Sequence, residues 1–371
     1  MSKSIRDLRQ EEFAEMWLNS DRKKILNLCP RFGKIRTSIK ILEKIEKQPE
    51  WKSYSKKKPS VLIAYPDNKI KDSWKSDFQT LNYDDSNVTY TTHLSLKKYN
   101  KQTFDIIIID EIHLLSEAQI EICKELFSFN YNILGLTGTL SKWTETTLNK
   151  ELDLHVLATY SIEKAIEEKV IADYSIKVYR VSLDNITQQS FNGKSRTEKK
   201  QFDVLTWMIN KLEEEGKPTM FLRLGRMRII QKSLAKLNYT KKLLKDSPKE
   251  RILVFCGIID IADKLGIPSY HSKTSEKTLL ADFSEGIGNH LAVVKIGNAG
   301  VTYKPLNKVI INYFDSNSEN LAQKINRCMS YEYDTPDKKA EIIIISTNEP
   351  TELKWLNKAL EFFDKSKITF M

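Results

Sequence analysis

The stretch Phe104–His113 reads FDIIIIDEIH. Its consecutive isoleucines, Ile106–Ile109, form an apolar run of strand length with no polar face, the pattern of a strand buried on both sides in a parallel sheet. Two carboxylates, Asp110 and Glu111, follow at the C-terminal end of that strand. In open α/β sheets the crevice outside that end is where ligands bind. An Asp there can hold Mg2+, directly or through water, and an adjacent Glu can polarise a water for attack on phosphate. A plainer alternative has the pair capping the next helix. An apolar run followed by Asp-Glu-x-His is specific enough to weigh against it.

Upstream, Ile25–Thr37 reads ILNLCPRFGKIRT: an apolar strand, a turn containing Gly33-Lys34, then a helical pattern from Ser38 to Ile45. A strand–loop–helix of this kind turns backbone N–H groups and a helix N-terminus toward phosphate oxygens. Lys34 would reach the terminal phosphates. The copy is degenerate. Arg31 stands at the penultimate glycine site of the loop, and Ile35 follows Lys34 where a Ser or Thr would offer Mg2+ a hydroxyl. Its place about 75 residues before the acidic strand end raises its weight, because Lys on one loop and Asp-Glu on a neighbouring one is the P-loop arrangement. Downstream, Leu134–Leu140 reads LGLTGTL, a strand ending in two hydroxyls, Thr137 and Thr139, at the same sheet edge.

Around these motifs, apolar β-rich runs alternate with helical patterns, which argues for parallel sheets in an α/β fold. Candidate strands are Ile25–Leu28, Val61–Ala64, Thr89–Thr91, Ile106–Ile109 and Ile133–Leu136, then Lys177–Val181, Ile252–Cys256, Leu291–Lys295, Lys308–Tyr313 and Glu341–Ile345. Two such sets in 371 residues predict two doubly wound domains, 1–160 and 161–371. The polar region Asp184–Lys200 reads as a loop, residues 199–246 as a basic helical segment, and Glu352–Asp364 as a helix packed through Leu353, Leu356, Leu360 and Phe363.

Lys and Arg number 59 against 49 Asp and Glu, a formal charge of +10 that favours a polyanionic partner. The basic segment concentrates Arg223, Arg226, Arg228, Lys232, Lys236, Lys241, Lys242 and Lys245, either as an extra DNA-binding surface or as a solvated face covering the second domain. The cysteines, Cys29, Cys123, Cys256 and Cys328, are too scattered for a zinc site or disulfide framework and read as buried, reduced thiols. No signal-peptide core and no membrane-length apolar run is present, so the expected location is cytoplasmic, the host cytoplasm if the chain is phage-encoded.

The order of the motifs is recognisable. Gly-Lys, then AYPDNKIKDSW, TTHLSLKK, DEIH and TGT resemble the first lobe of a superfamily 2 helicase of the DExH type. ILVFCG, YHSKTSEKTLLADFSEG, VVKIGNAGVTYKPL and ENLAQKINRCMS are similar to the motifs of its second lobe. The nearest flavour is that of phage DNA helicases and restriction-enzyme motor subunits. This resemblance implies two tandem RecA-like (P-loop NTPase) domains with a cleft between them, 1–160 binding ATP and 161–371 forming the C-terminal domain.

It also implies roles. Gly33, Lys34, Ile35 and Arg31 line the phosphate loop, and Gln10 stands where the family contacts adenine. Asp110 organises Mg2+ and Glu111 orients the attacking water. Gln323 and Arg327 approach the nucleotide from the second lobe. His113, Thr137 and Thr139 couple nucleotide state to the nucleic-acid groove, where Pro66, Lys69, Thr92, Lys295 and Gly300 contact the backbone. The implied function is ATP-dependent unwinding or remodelling of nucleic acid, DNA rather than RNA, in phage replication or recombination and with protein partners of such a complex. Two departures, Ile35 and Ser330 in place of a second arginine, keep two rivals open: a duplex translocase that does not separate strands, and a catalytically weak, ATP-gated clamp.

Overall fold

Apolar segments of the first half pair edge to edge into one parallel sheet. The computed structural model describes residues 4–49, 58–191, 193–276, 278–294, 303, 306–314, 318–330, 338–361 and 363–371, without the side chains of residues 69, 318–320 and 323. The chain divides into two compact units, Met1–Ile171 and Ala172–Met371.

The first unit contains β1 (Lys23–Leu28), β2 (Val61–Tyr65), β3 (Val88–Thr92), β4 (Ile106–Ile109), β5 (Ile133–Thr137) and β6 (His155–Tyr160), hydrogen-bonded in the order β3-β2-β4-β5-β1-β6. Every pairing is parallel. All of β4 is solvent-excluded, as a run of isoleucines with helices on both faces requires. The register sets Asn27 beside Thr137, Ile109 beside Gly135 and Ala64 beside Ile109. The loops after β1, β2, β4 and β5 therefore leave from one edge of the sheet.

Among the described residues of this unit the α-helices are α1 (Ile5–Leu18), α2 (Lys34–Glu46), α3 (Asn68–Thr80), α4 (Glu117–Ser128), α5 (Lys142–Leu152) and α6 (Ile162–Glu167). Burial of Ile39, Leu42 and Ile45 gives α2 its inward stripe. Helix α4 starts in a capping box, Ser116 with Gln119. The sequence assigned 161–171 to the second domain. The fold ties it to the first instead: Arg9 Nε on α1 donates to Glu168 Oε2 at 2.9 Å, Tyr160 donates to the same oxygen at 2.7 Å, and Arg6 bonds the Val170 carbonyl. Strand β6 escapes prediction because it is a half-exposed edge strand without a continuous apolar run.

In the second unit, β7 (Asp173–Val181), β10 (Ile252–Cys256), β11 (Ser269–Tyr270), β12 (His290–Val294), β13 (Lys308–Ile311), β14 (Lys339–Thr347) and β15 (Ile368–Phe370) form a parallel sheet ordered β11-β12-β10-β13-β14-β7-β15. The polar stretch expected to be a loop contains a hairpin instead, β8 (Gln189–Phe191) with β9 (Lys194–Arg196), its turn eased by Gly193 at φ +78°. The basic segment forms α7 (Glu198–Glu214), α8 (Met220–Gln231) and α9 (Leu234–Asp246). The remaining helices are α10 (Ile259–Lys264), α11 (Leu279–Ser284), α12 (Ser318–Ile325) and α13 (Pro350–Leu360), the last burying Leu356 and Leu360 as its spacing predicts. All four cysteines are buried. Among the described residues no helix is long and apolar enough to cross a membrane.

One member of the basic run is not on the surface. Lys236 is 1% exposed and its Nζ contacts Glu352 Oε1 and donates to the Asn312 carbonyl at 3.1 Å. Glu352 Oε2 accepts from the Thr347 amide and hydroxyl, each at 2.7 Å. Burial pulls the Lys236 pKa down, against the pull of Glu352. Removing one member of such a pair strands the other charge, so Lys236→Met should cost about 3–5 kcal/mol in denaturant unfolding. The double variant Lys236→Met/Glu352→Leu should recover most of that loss. Equal destabilisation of single and double variants would show that the pair is not the origin.

Candidate functional site

The site is built where β1, β4 and β5 end. After β1 the chain turns through Cys29–Phe32, with Arg31 at φ +68°, and enters α2 at Gly33, φ +99°. A side chain at position 33 would be strained at that φ, and its Cβ would lie 2.6 Å from Gln10 Nε2. Gln10, 1% exposed, donates from Nε2 to the Phe32 carbonyl at 3.0 Å and so braces the loop from beneath. Its Oε1 is buried and makes no hydrogen bond among the described residues.

Lys34, in the first turn of α2, reaches across to the acidic strand end. Its Nζ lies 2.9 Å from Glu111 Oε1, with the two side chains 14% and 19% exposed. A Cβ at Gly138 would lie 3.0 Å from that amine, 3.1 Å from the Leu28 carbonyl oxygen and 3.3 Å from Pro30 Cδ, so the Thr-Gly-Thr turn packs tightly against the loop after β1 and the Lys34 side chain. Glu111 adopts the left-handed region at φ +50°, which turns its carboxylate away from the strand direction. Its second oxygen is 3.5 Å from His113 Nδ1, and that nitrogen is 2.8 Å from Thr137 Oγ1. The Thr137 hydroxyl donates to the Thr139 carbonyl at 3.1 Å, which leaves it to accept from His113 and places the imidazole proton on Nδ1. Amine, carboxylate, imidazole and hydroxyl thus form one connected line.

Asp110 is 4% exposed. Trp74 Nε1, from α3, donates to its Oδ2 at 3.0 Å, and His93 Nε2 lies 3.0 Å from its backbone carbonyl. Oδ1 is buried without a hydrogen bond among the described residues. Burial, reinforced by the Glu111 charge, raises the Asp110 pKa above the usual carboxylate range. At Glu111 burial pushes the same way, but Lys34 and His113 outweigh it and hold the carboxyl below its ordinary value. Burial takes His93 down to about 4, which keeps that ring neutral.

A hard divalent cation fits this donor set. The orphaned Oδ1 is an anionic oxygen in want of positive charge, and Mg2+ takes one or two carboxylates with waters and substrate phosphates for the rest. No hydroxyl from α2 adds to it. Ile35 has none, while Thr37 and Ser38 spend theirs on the carbonyls of Gly33, at 3.2 Å, and Lys34, at 3.1 Å.

The fold therefore brings Gln10, Gly33, Lys34, Asp110, Glu111, His113, Thr137 and Thr139 together, with Arg31 and Ile35 flanking the loop. Pro66 follows β2 and Thr92 ends β3, on the same edge of the sheet. In the second unit Arg327, 7% exposed, lies in the short 3-10 turn Asn326–Cys328 that follows α12, the helix carrying Gln323. The side chains of Gln323 and Lys69, and Lys295 and Gly300 altogether, lie outside the described residues.

Three supports are not evident from sequence: Trp74, His93 and Gly138. Trp74 had a signal. Ile70, Trp74 and Phe78 make an apolar stripe on an otherwise charged helix, which points the indole inward.

The chain is 23% identical to the DNA 3′-5′ translocase XPB2 of Sulfurisphaera tokodaii, over 91% of this chain and 80% of that protein. Its fold matches a fragment of the HsdR subunit of a type I restriction enzyme from Vibrio vulnificus YJ016, with TM-score 0.62 and 15% identity, covering 98% of this chain and 67% of that one. In sequence the chain is thus similar to a DNA translocase, and in fold to a restriction-enzyme subunit. The helicase domain of Pyrococcus furiosus Hef matches with TM-score 0.53 and 13% identity, over 95% of this chain and 99% of that one. No protein-family model matches the chain. The 6- and 7-stranded parallel sheets are two RecA-like cores, as in these neighbours, and the Lys34–Glu111 pair stands at the strand ends of the first.

Proposed function

We propose that the chain is an ATP-driven motor on nucleic acid, a helicase or translocase acting on DNA. The observation that carries this reading is the meeting of Lys34, Asp110 and Glu111 at the C-terminal edge of a parallel sheet, 2.9 Å separating the amine from the Glu111 carboxylate. A lysine and an Asp-Glu pair in that position match what a nucleoside triphosphate needs. Similarity to a DNA translocase over most of the chain's length supports nucleic acid as the track.

In this mechanism Lys34 leaves Glu111 for the β and γ phosphates, with Gly33, Arg31 and Ile35 framing the loop and Gln10 toward the base. Asp110, fixed by Trp74, offers its free oxygen to Mg2+, which when bound neutralises charge developing on the phosphates. Glu111, released from Lys34, accepts a proton from the attacking water. Arg327 and Gln323 are assigned to charge on the transferred phosphoryl group. His113, Thr137 and Thr139 register whether Glu111 is engaged, and pass that state to the backbone contacts Pro66, Lys69, Thr92, Lys295 and Gly300. A phage replication or recombination setting, with protein partners, fits the motif flavour.

Phosphate release measured with and without single-stranded DNA tests the reading. Stimulated turnover well above a Lys34→Ala background supports it, and turnover equal to that background ends it. One observation favours the clamp as a second reading: with Ile35 in place and the Thr37 and Ser38 hydroxyls internally bonded, α2 gives the metal no ligand. A clamp would bind ATP and DNA together without turnover.

Trp74→Phe keeps an aromatic ring but removes the N–H that holds Asp110 Oδ2. Hydrogen bonds to charged groups contribute about 1.5–3 kcal/mol, so half-maximal turnover should need about tenfold more Mg2+ or beyond. Nucleotide binding in EDTA should not change. An unaltered Mg2+ dependence would deny Trp74 a positioning role.

A further inference from the structure

We propose that the outer face of α9 is a second binding surface for a nucleic-acid backbone, distinct from the strand-end contacts assigned above. It rests on the reading that the chain binds nucleic acid. Between residues 216 and 245 the sequence has nine Lys or Arg and no Asp or Glu, against a surplus of +10 for the whole chain. Nearly all the positive excess is therefore local.

The fold sorts these nine cations into two groups. Lys236 is buried on Glu352, Arg223 bonds Glu213 at 2.5 Å and Lys217 bonds Glu215 at 2.8 Å. Arg226 lies over the Phe202 ring and donates to Thr206 at 3.3 Å. Arg228, Lys232, Lys241, Lys242 and Lys245 are exposed and make no ion pair among the described residues.

Three of these share one face. On α9 the exposed positions are Asn238, Lys241, Lys242, Lys245 and, at its C-terminal end, Asp246, and the opposite side buries Leu237, Thr240 and Leu244. A helix face kept only for solubility mixes signs, because opposite charges one turn apart stabilise a helix and like charges destabilise it. Here Lys241 and Lys245 stand one turn apart with no acid between them on that face. Such a face gains from a polyanion, which relieves the repulsion and sheds counterions. The chemistry also selects the part of the polyanion. Lysines are point charges suited to phosphate, and the face carries no aromatic ring on which a base could stack. The contact is thus with backbone phosphates, irrespective of sequence, as a processive or remodelling protein requires.

The test compares the full chain with K241Q/K242Q/K245Q and with K354Q/K358Q/K365Q, which removes the same charge from exposed positions elsewhere in the second unit. Gln matches Lys in helix propensity, so α9 is kept. Binding of a labelled DNA duplex is titrated from about 50 to about 200 mM salt. The α9 variant should bind more weakly, and its log–log salt slope should be shallower by about 2–3. The control triple should lose much less, and phosphate release without DNA should be the same in all three. An α9 variant with the wild-type slope, or equal losses in the two triples, overturns the proposal while leaving the motor reading intact. A wild-type chain that binds no DNA removes both.

Discussion

Lys34→Ala is expected to remove nucleotide turnover and to weaken nucleotide affinity at least about a hundredfold, since every charge-assisted hydrogen bond to phosphate is worth about 1.5–3 kcal/mol. The effect has a second source. The Lys34 amine sits 2.9 Å from Glu111 and also offsets the Asp110 charge. Without it, two adjacent carboxylates face an incoming triphosphate, and repulsion adds to the missing attraction. Folding should survive, because Glu111 keeps 19% of its side-chain surface exposed and can rehydrate. Titration with a fluorescent ATP analogue and a phosphate-release assay check both halves. Affinity within twofold of the parent would mean that the loop does not hold phosphate.

Glu111→Gln should separate binding from chemistry. Glutamine keeps the length, and its carbonyl can still accept from Lys34, so ATP should bind as well as before. It cannot take a proton from water, and loss of a positioned general base costs about 10²–10⁴ in rate. The pH dependence carries its own signature. Lys34 and His113 hold the Glu111 pKa below the usual carboxylate value, so the basic form is complete above that value and is lost only as pH falls through the depressed one. The ratio kcat/KM for ATP, which reports the free enzyme, should therefore show no loss from this group between about pH 6 and 8, with any acid limb from Glu111 lying below about 4.3. A variant retaining a third of the parent rate would show that another group orients the water.

Much of this site lay open in the linear chain, for reasons that differ by residue. Ile106–Ile109 could be read as a buried parallel strand because a short run of β-branched residues without a polar face suits a strand better than a helix, and the strand observed is the strand expected. Asp110 and Glu111 then had to lie at its C-terminal edge. Gly33-Lys34 was legible as the junction of loop and helix because an apolar run precedes it and a helical stripe follows, though the helix begins at Lys34 rather than at Ser38. The supports were not legible. The Ile70–Trp74–Phe78 stripe turns Trp74 inward but does not name its partner, His93 acts through a single hydrogen bond to Asp110, and Gly138 acts by lacking a side chain, so no pattern in the chain marks their roles.

By itself the sequence determined the strand–helix alternation, the burial of central strands such as β2, β4, β5 and β10, and the residues that the ends of β1, β4 and β5 would present, because local periodicity decides which faces are apolar. Only the tertiary structure decided the strand order, with β5 set between β1 and β4, and hence that Lys34 would meet Glu111 and pass Gly138. It alone decided which members of the basic run are solvent-facing: Lys236 is drawn inside by Glu352, 116 positions away, while Lys241, Lys242 and Lys245 stay out. The physical reason is that charge is read from composition, but its solvation depends on partners that only long-range packing supplies.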